Sequence, residues 1–379
     1  MAGLSDNATE TSWDVAVIGA GPAGSATAIT LARLGQRVLL ADEQGGVKPK
    51  LGESLPPSCV GLVTHFLGTG PAPEDSHSGM FRTAGNVSVW ATEQAQTTDF
   101  FFTQTGFGLC IDRVAFDEAM RSRAVEAGVT LLKGVRFEAC SRLTESAFSW
   151  QLQFGRGAPV HRARYLVDCS GRRAAVARTL GGSLCQDPDG LFAYAQWFAT
   201  CGPDDDRYTR IEAGPQGWWY SNRLPGENEG KTSRLVVFHT DNDLPHSTLA
   251  ATPHGFQHVL GYSAHIGPWL DQLGYRPVGP VRGAAANSQR LQSFCGDAWM
   301  AVGDAAQAYD PLSSQGIYKA LESGSQAGHF IHYALSESPA GPGSLGHENP
   351  YISQYAAQQQ RLWENYSDRR NFFYQQQPR

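Results

Sequence analysis

The feature that most constrains this chain is a glycine-rich turn between two apolar strands near its start. Asp14 to Ile18 is apolar and β-branched, as a strand buried on both faces should be. Gly19-Ala20-Gly21-Pro22-Ala23-Gly24 follows, then a stretch with helical spacing that stops at Gly35. Gln36 to Ala41 reads as a second buried strand and closes on Asp42-Glu43. This is a βαβ unit with GxGxxG at its first turn and an acid at the end of its second strand. Gly19 permits the tight turn, Gly21 lets the backbone approach a pyrophosphate, and Gly24 lets the helix pack on the strand. The helix N-terminus offers N–H groups and positive potential to phosphates. Asp42, in preference to Glu43, is placed to bind ribose hydroxyls, and Ala23 opens the helix. An acid there disfavours a 2′-phosphate, so FAD or NAD suits the site better than NADP.

Composition narrows the classes. A chain of 379 residues has room for two domains. Its net charge of −6 gives no basic footprint for nucleic acid. There is no apolar run of the roughly 18 residues that a membrane span requires. The polar start, MAGLSDNATETSW, lacks the apolar stretch of a signal peptide and is expected to be a loose tail over residues 1–12. The seven cysteines are scattered without CxxC spacing. That speaks against a disulfide framework and a zinc site, and for reduced thiols in a cytoplasmic protein. No metal site is expected.

Later segments discriminate between FAD and NAD. Arg164 to Asp168 is an apolar strand running into Cys169-Ser170-Gly171-Arg172. Trp299 to Val302 leads into Gly303-Asp304-Ala305-Ala306, and Asp310-Pro311-Leu312-Ser313-Ser314-Gln315-Gly316-Ile317 precedes a helical stretch. Gly52-Glu53-Ser54-Leu55-Pro56-Pro57 follows the second strand, and Arg113 lies in DRVAFDEAMRSRA. With these motifs, spread from about residue 14 to about 330, the sequence resembles the FAD-dependent aromatic hydroxylases, flavin halogenases and geranylgeranyl-reductase-like enzymes. The resemblance implies an α/β fold, with a Rossmann-like FAD-binding domain, an interleaved antiparallel β-sheet substrate domain and C-terminal helices. It implies FAD contacts from Glu53, Ser54, Arg113, Asp168, Gly171, Gly303, Asp304 and Pro311. It also aims the backbone N–H groups of Ser314, Gln315, Gly316 and Ile317 at the pyrimidine edge of the flavin. A helix start there would stabilise a reduced, anionic flavin.

Between residues 186 and 285 aromatic and β-branched residues cluster or alternate, as in an antiparallel sheet, and 78–105 has the same character. Residues 78–105 with 186–285 are therefore assigned to the substrate domain. Residues 13–77, 106–185 and 286–335 are assigned to the FAD domain, and 336–379 to one or two C-terminal helices. Trp218, Trp219 and Tyr220 are the candidate substrate-side wall, able to exclude water and stack on an aromatic ring. Each is equally well read as core. His239 is a candidate acid–base group, although a lone histidine on a strand is more often structural.

In such a fold the cofactor carries the hard chemistry, which suits a chain without an evident catalytic triad. The expected reaction is hydroxylation of an aromatic substrate through a flavin C4a-hydroperoxide. O2 would be the co-substrate, and NADH, NADPH or a partner flavin reductase the electron donor. The chain is similar to the halogenase-like flavoproteins that mature quinoprotein oxidases and amine dehydrogenases. This makes an indole, free or on a Trp-bearing partner protein, the leading substrate. Halogenation is the alternative, but no lysine stands between Lys50 and Lys133, where the halogenase lysine is expected. Lys48 and Lys50 precede Gly52, and Arg82 stays protonated. A geranylgeranyl-type reductase and a flavin-binding assembly factor without turnover are the other readings.

Overall fold

The computed structural model describes residues 11–46, 50–68, 79–143, 147–155, 158–186, 190–228, 231–337 and 345–376. The first strand, Thr11–Ile18, is central in an eight-stranded sheet. It pairs in parallel with Val38–Asp42 on one side and His161–Asp168 on the other. Val15, Ala16 and Val17 are fully buried, as expected where both faces are covered. The strand starts at Thr11, so residues 11 and 12 belong to the sheet and not to a tail. Their backbones pair with His161 and Arg162. Residues 1–10 lie outside the described residues, as does Lys48.

The first helix, Pro22–Arg33, packs against Gly316–Glu337 through small residues. A Cβ on Gly324 would lie 2.6 Å from the Ala23 carbonyl oxygen, and one on Gly328 2.7 Å from the Thr30 side chain. The start of the first helix thus lies against Gly324, eight residues into the second.

A seven-stranded sheet forms the second layer. Its order is Arg276–Ala285, Leu191–Thr200, Lys231–Asp241, Gly217–Asn228, Tyr208–Gly214, Gly85–Val89 and Gln96–Asp99. All neighbours are antiparallel except Gly85–Val89, which runs parallel to Tyr208–Gly214. The 78–105 segment is divided between sheets: Met80–Thr83 pairs with Gly108–Ile111 in a separate three-stranded sheet. The insert also holds three short helices, Pro245–Ala250, Pro253–Leu260 and Ile266–Gln272, which the strand-like reading of 186–285 missed. Their start signals are local: Pro245 and Pro253 open two of them, and the Thr252 hydroxyl caps Gly255 N–H at 3.1 Å. These helices cover one face of the sheet with Phe256, Val259 and Leu270.

The C-terminal helix is one element, Pro350–Gln375, capped by Asn349. Among the described residues no helix is long and apolar enough to cross a membrane.

Candidate active site

A cavity of about 920 Å³ runs between the two layers. Its floor is the glycine-rich turn. Gly19 has φ +105°, and a Cβ there would sit 2.2 Å from the Cys169 carbonyl oxygen. A Cβ on Gly24 would be 1.8 Å from the Gly19 carbonyl oxygen, so Gly24 serves packing beneath the cavity. Gly21, by contrast, faces open space, with nothing within 4 Å of its would-be Cβ, and it lines the cavity with Gly19 and Ala23. This is a cradle shaped for a phosphate-bearing ligand at a helix start.

Asp42 and Glu43 line the same cavity. Asp42 Oδ2 accepts from Ala20 N at 2.7 Å and pairs with Arg121 at 3.2 Å, while Oδ1 accepts from Gln44 N at 2.7 Å. The carboxylate thus anchors the turn as well as facing the ligand space. Glu43 is paired with Arg173 at 2.7 Å. Glu53, Ser54 and Arg113 line the cavity too. Arg113 donates to the Leu51 carbonyl at 2.6 Å and to Asp117 at 3.2 Å. Glu53 is buried, and burial pushes its pKa up against the opposing hydrogen bond from the Tyr220 hydroxyl. Lys50 also lines the cavity, with its ammonium 3.5 Å from Asp117. Arg82 is not part of the lining and stacks over Phe107 at 4.2 Å.

On the opposite side, Gly171, Arg172 and Asp304 line the cavity, followed by Pro311, Ser314, Gly316 and Ile317. Ser314 sits at φ +50°, which turns the chain into the helix at Gly316. Four residues of the expected cofactor motifs lie outside the cavity lining. Asp168 is fully buried and accepts from Ser170 N, Ser170 Oγ and Ala177 N, so it shapes the Gly171 turn from below. Gly303 and Gln315 are not in the lining, and neither is Gly24. At Gly303, φ is +63° and a Cβ would meet Ala23 Cβ at 2.6 Å, so its role is close packing of the first helix. Asp304 is paired with buried Lys319 at 3.1 Å, and Lys319 also donates to the Gln307 carbonyl.

The roof is one face of the seven-stranded sheet. Trp218 and Tyr220 point into the cavity, as do Leu235, Val237 and His239 of the neighbouring strand. Strand alternation sends Trp219 to the other face, where it stacks on Phe238 at 4.5 Å and meets Phe256 edge-on at 5.4 Å. The expectation that Trp219 faces the substrate is therefore corrected: it is core. His239 is buried and stacked on Trp218, with ring centroids 3.6 Å apart and planes 9° apart. Burial pushes its pKa down to about 3, so at neutral pH it is an uncharged imidazole.

The sequence reading missed the contribution of the C-terminal helix. The Tyr374 hydroxyl donates to Asp310 Oδ2 at 2.7 Å and accepts from Trp218 Nε1 at 3.1 Å. Tyr366 accepts from Asp310 N at 2.7 Å and stacks on Tyr309, with centroids 4.0 Å apart. The aromatic spacing of this helix was legible, but its target was not.

Residues 14–184 match the FAD dependent oxidoreductase family. The chain is 28% identical over 378 residues to a protein of Marinomonas mediterranea named as the FAD-dependent oxidoreductase LodB, covering 97% of this chain and 94% of that one. Among solved structures it resembles the myxobacterial chondrochloren halogenase CndH (TM-score 0.81, 22% identity, 97% of this chain and 84% of that one). It also resembles the peptidyl tryptophan dihydroxylase QhpG, essential for tryptophylquinone cofactor biogenesis (TM-score 0.71, 23% identity, 97% and 76% covered). Fold, cradle and family match define the class: an FAD-dependent oxidoreductase enzyme. Its two-layer fold is that of the solved halogenase CndH.

Proposed function

We propose that this enzyme is an FAD-dependent monooxygenase that hydroxylates an aromatic substrate, with the indole of a tryptophan, free or on a partner protein, as the preferred candidate. The observation that carries this reading is the continuity of one cavity from the phosphate cradle at Gly21 to the wall of Trp218, Tyr220 and His239. FAD fits the cradle: the exposed helix start at Gly21 suits the pyrophosphate, Asp42 the ribose, Arg113 and Asp304 the chain between, and the helix start at Gly316 the pyrimidine edge. When bound, FAD supplies the redox chemistry, taking electrons from NADH, NADPH or a partner reductase and using them to activate O2.

The protein's part is binding, orientation and exclusion of water. Leu235 and Val237 make the roof apolar, and Trp218 and Tyr220 add aromatic surface to the wall. The similarity to QhpG supports a tryptophan side chain as substrate. Halogenation is the second reading. It is favoured by the likeness to CndH and by Lys50, which reaches the cavity, although on the side of Arg113 and Asp117.

The test is turnover of N-acetyl-tryptophanamide by the FAD-loaded enzyme with NADH or a flavin reductase, in the presence of bromide and oxygen-18 gas. Label in a hydroxylated product supports the monooxygenase. A brominated product makes it a halogenase, and flavin oxidation with no altered aromatic compound sinks both.

A further inference from the structure

His239 is an unusual residue to find on this roof. It is 3% exposed, and its Nδ1 is sealed without a hydrogen-bond partner. The small surface left to the ring lies on the cavity, which leaves Nε2 to face a ligand. No hydrogen bond among the described residues engages Nε2 either, and a polar group left unsatisfied in a binding cavity calls for a partner. Its neighbours on the roof cannot supply one. Trp218 gives it a ring face and its backbone, Leu235 and Val237 are apolar, and the Tyr220 hydroxyl is engaged by Glu53. Trp218 is itself held, because its Nε1 donates to Tyr374. The imidazole is therefore clamped in one plane and turned towards the substrate space.

We propose that His239 reads the polar edge of the substrate, hydrogen-bonding a ring N–H or O–H of an aromatic compound that lies against Trp218. The chemical class is an indole or a phenol with an unblocked hydrogen. The imidazole stays neutral, with its proton on Nδ1, on the ring that the Trp218 backbone supports, and its lone pair on Nε2; it neither gains nor gives up a proton in the reaction. The inference rests on the aromatic-substrate reading above and sharpens it from a flat ring to a ring with one donor at a defined edge. It makes His239 a specificity residue and separates it from the acid–base role the sequence suggested.

The experiment is a titration of the FAD-loaded protein followed by the flavin spectrum. The probes are N-acetyl-tryptophanamide and its 1-methylindole analogue, with p-cresol and its methyl ether as the phenol pair. The wild-type protein is expected to prefer the unblocked member of at least one pair by roughly tenfold. His239→Phe keeps the ring stack on Trp218 and removes both nitrogens, so the ratio should fall to about one with the blocked probe bound as before. His239→Gln restores a hydrogen-bonding group and should recover part of the preference. If His239→Phe cannot be loaded with FAD, the wild-type ratio and His239→Gln decide. A preference that survives intact in His239→Phe overturns the assignment of His239 and leaves the aromatic reading standing. A wild-type ratio of one in both pairs, with all probes binding, does the same. If no probe perturbs the wild-type flavin, the aromatic reading falls and this proposal with it.

Discussion

Tyr374 ties the Asp310 turn to the aromatic wall: one hydroxyl donates to Asp310 Oδ2 at 2.7 Å and accepts from Trp218 Nε1 at 3.1 Å. Asp310 is buried, and burial raises its pKa, so its carboxylate depends on the hydrogen bonds from Tyr374, Arg370 and Leu312 N. Tyr374→Phe removes the hydroxyl and little volume. We expect a loss of about 2 kcal/mol, in the range for hydrogen bonds to charged groups. It should register as a lower Tm in both the FAD-free and the FAD-loaded protein. An unchanged Tm in both forms would show that the bond is not made in solution.

The two adjacent tryptophans should separate cleanly. Trp219 is sealed between the sheet and its covering helices, so Trp219→Ala should cost about 3–5 kcal/mol and lower the Tm sharply. Trp218→Ala should leave the FAD absorbance in place and weaken binding of an aromatic probe by tenfold or more. Equal loss of flavin in both variants would contradict the assignment of one ring to the core and the other to the substrate.

The glycines of the cradle make a second contrast. Gly19→Ala combines a positive φ with a 2.2 Å clash against backbone and should abolish soluble, FAD-loaded protein. Gly21→Ala meets no protein atom within 4 Å, so the apoprotein should fold with nearly the same Tm. Its methyl group projects into the ligand space, and the Kd for FAD should rise by at least tenfold, about 1.4 kcal/mol. Undiminished FAD affinity in Gly21→Ala would mean that the ligand does not approach this turn.

Acid sensitivity follows from His239. Its pKa lies near 3 in the folded state against an ordinary value of 6.5, so between those limits the unfolded chain binds more protons. The stabilising effect of the neutral imidazole is therefore complete above pH 6.5 and is lost as the pH falls towards 3. At pH 5 the loss amounts to about 2 kcal/mol. Between pH 7 and pH 5 the Tm of His239→Phe should fall several degrees less than that of the wild type. Parallel falls would show that His239 titrates normally and is not sealed.

Much of the FAD half was legible because its signals are local. A turn that needs Gly19, a ligand approach left open at Gly21 and a strand that ends on Asp42 declare themselves within thirty residues. What failed to show was direction. Trp218, Trp219 and Tyr220 look alike in sequence, and only pairing with Phe238 and His239 decides which rings face the cavity. Asp168 sits inside a motif that touches the cavity but turns its side chain elsewhere, because hydrogen bonds within the turn claim it. Tyr374 was beyond reach: its partners lie 64 and 156 residues away, and nothing in a run of glutamines and arginines points to them.

The contribution of the C-terminal helix bears on the order of biosynthesis. Gly19 and Gly21 are translated before Tyr366, Arg370 and Tyr374, which brace the Asp310 turn and come more than three hundred residues later. A nascent chain can shape the glycine turn early but cannot brace the opposite wall until translation has passed Tyr374. The wall of the cavity that carries Asp310 and Trp218 is therefore completed by the C-terminal helix, from the far end of the chain.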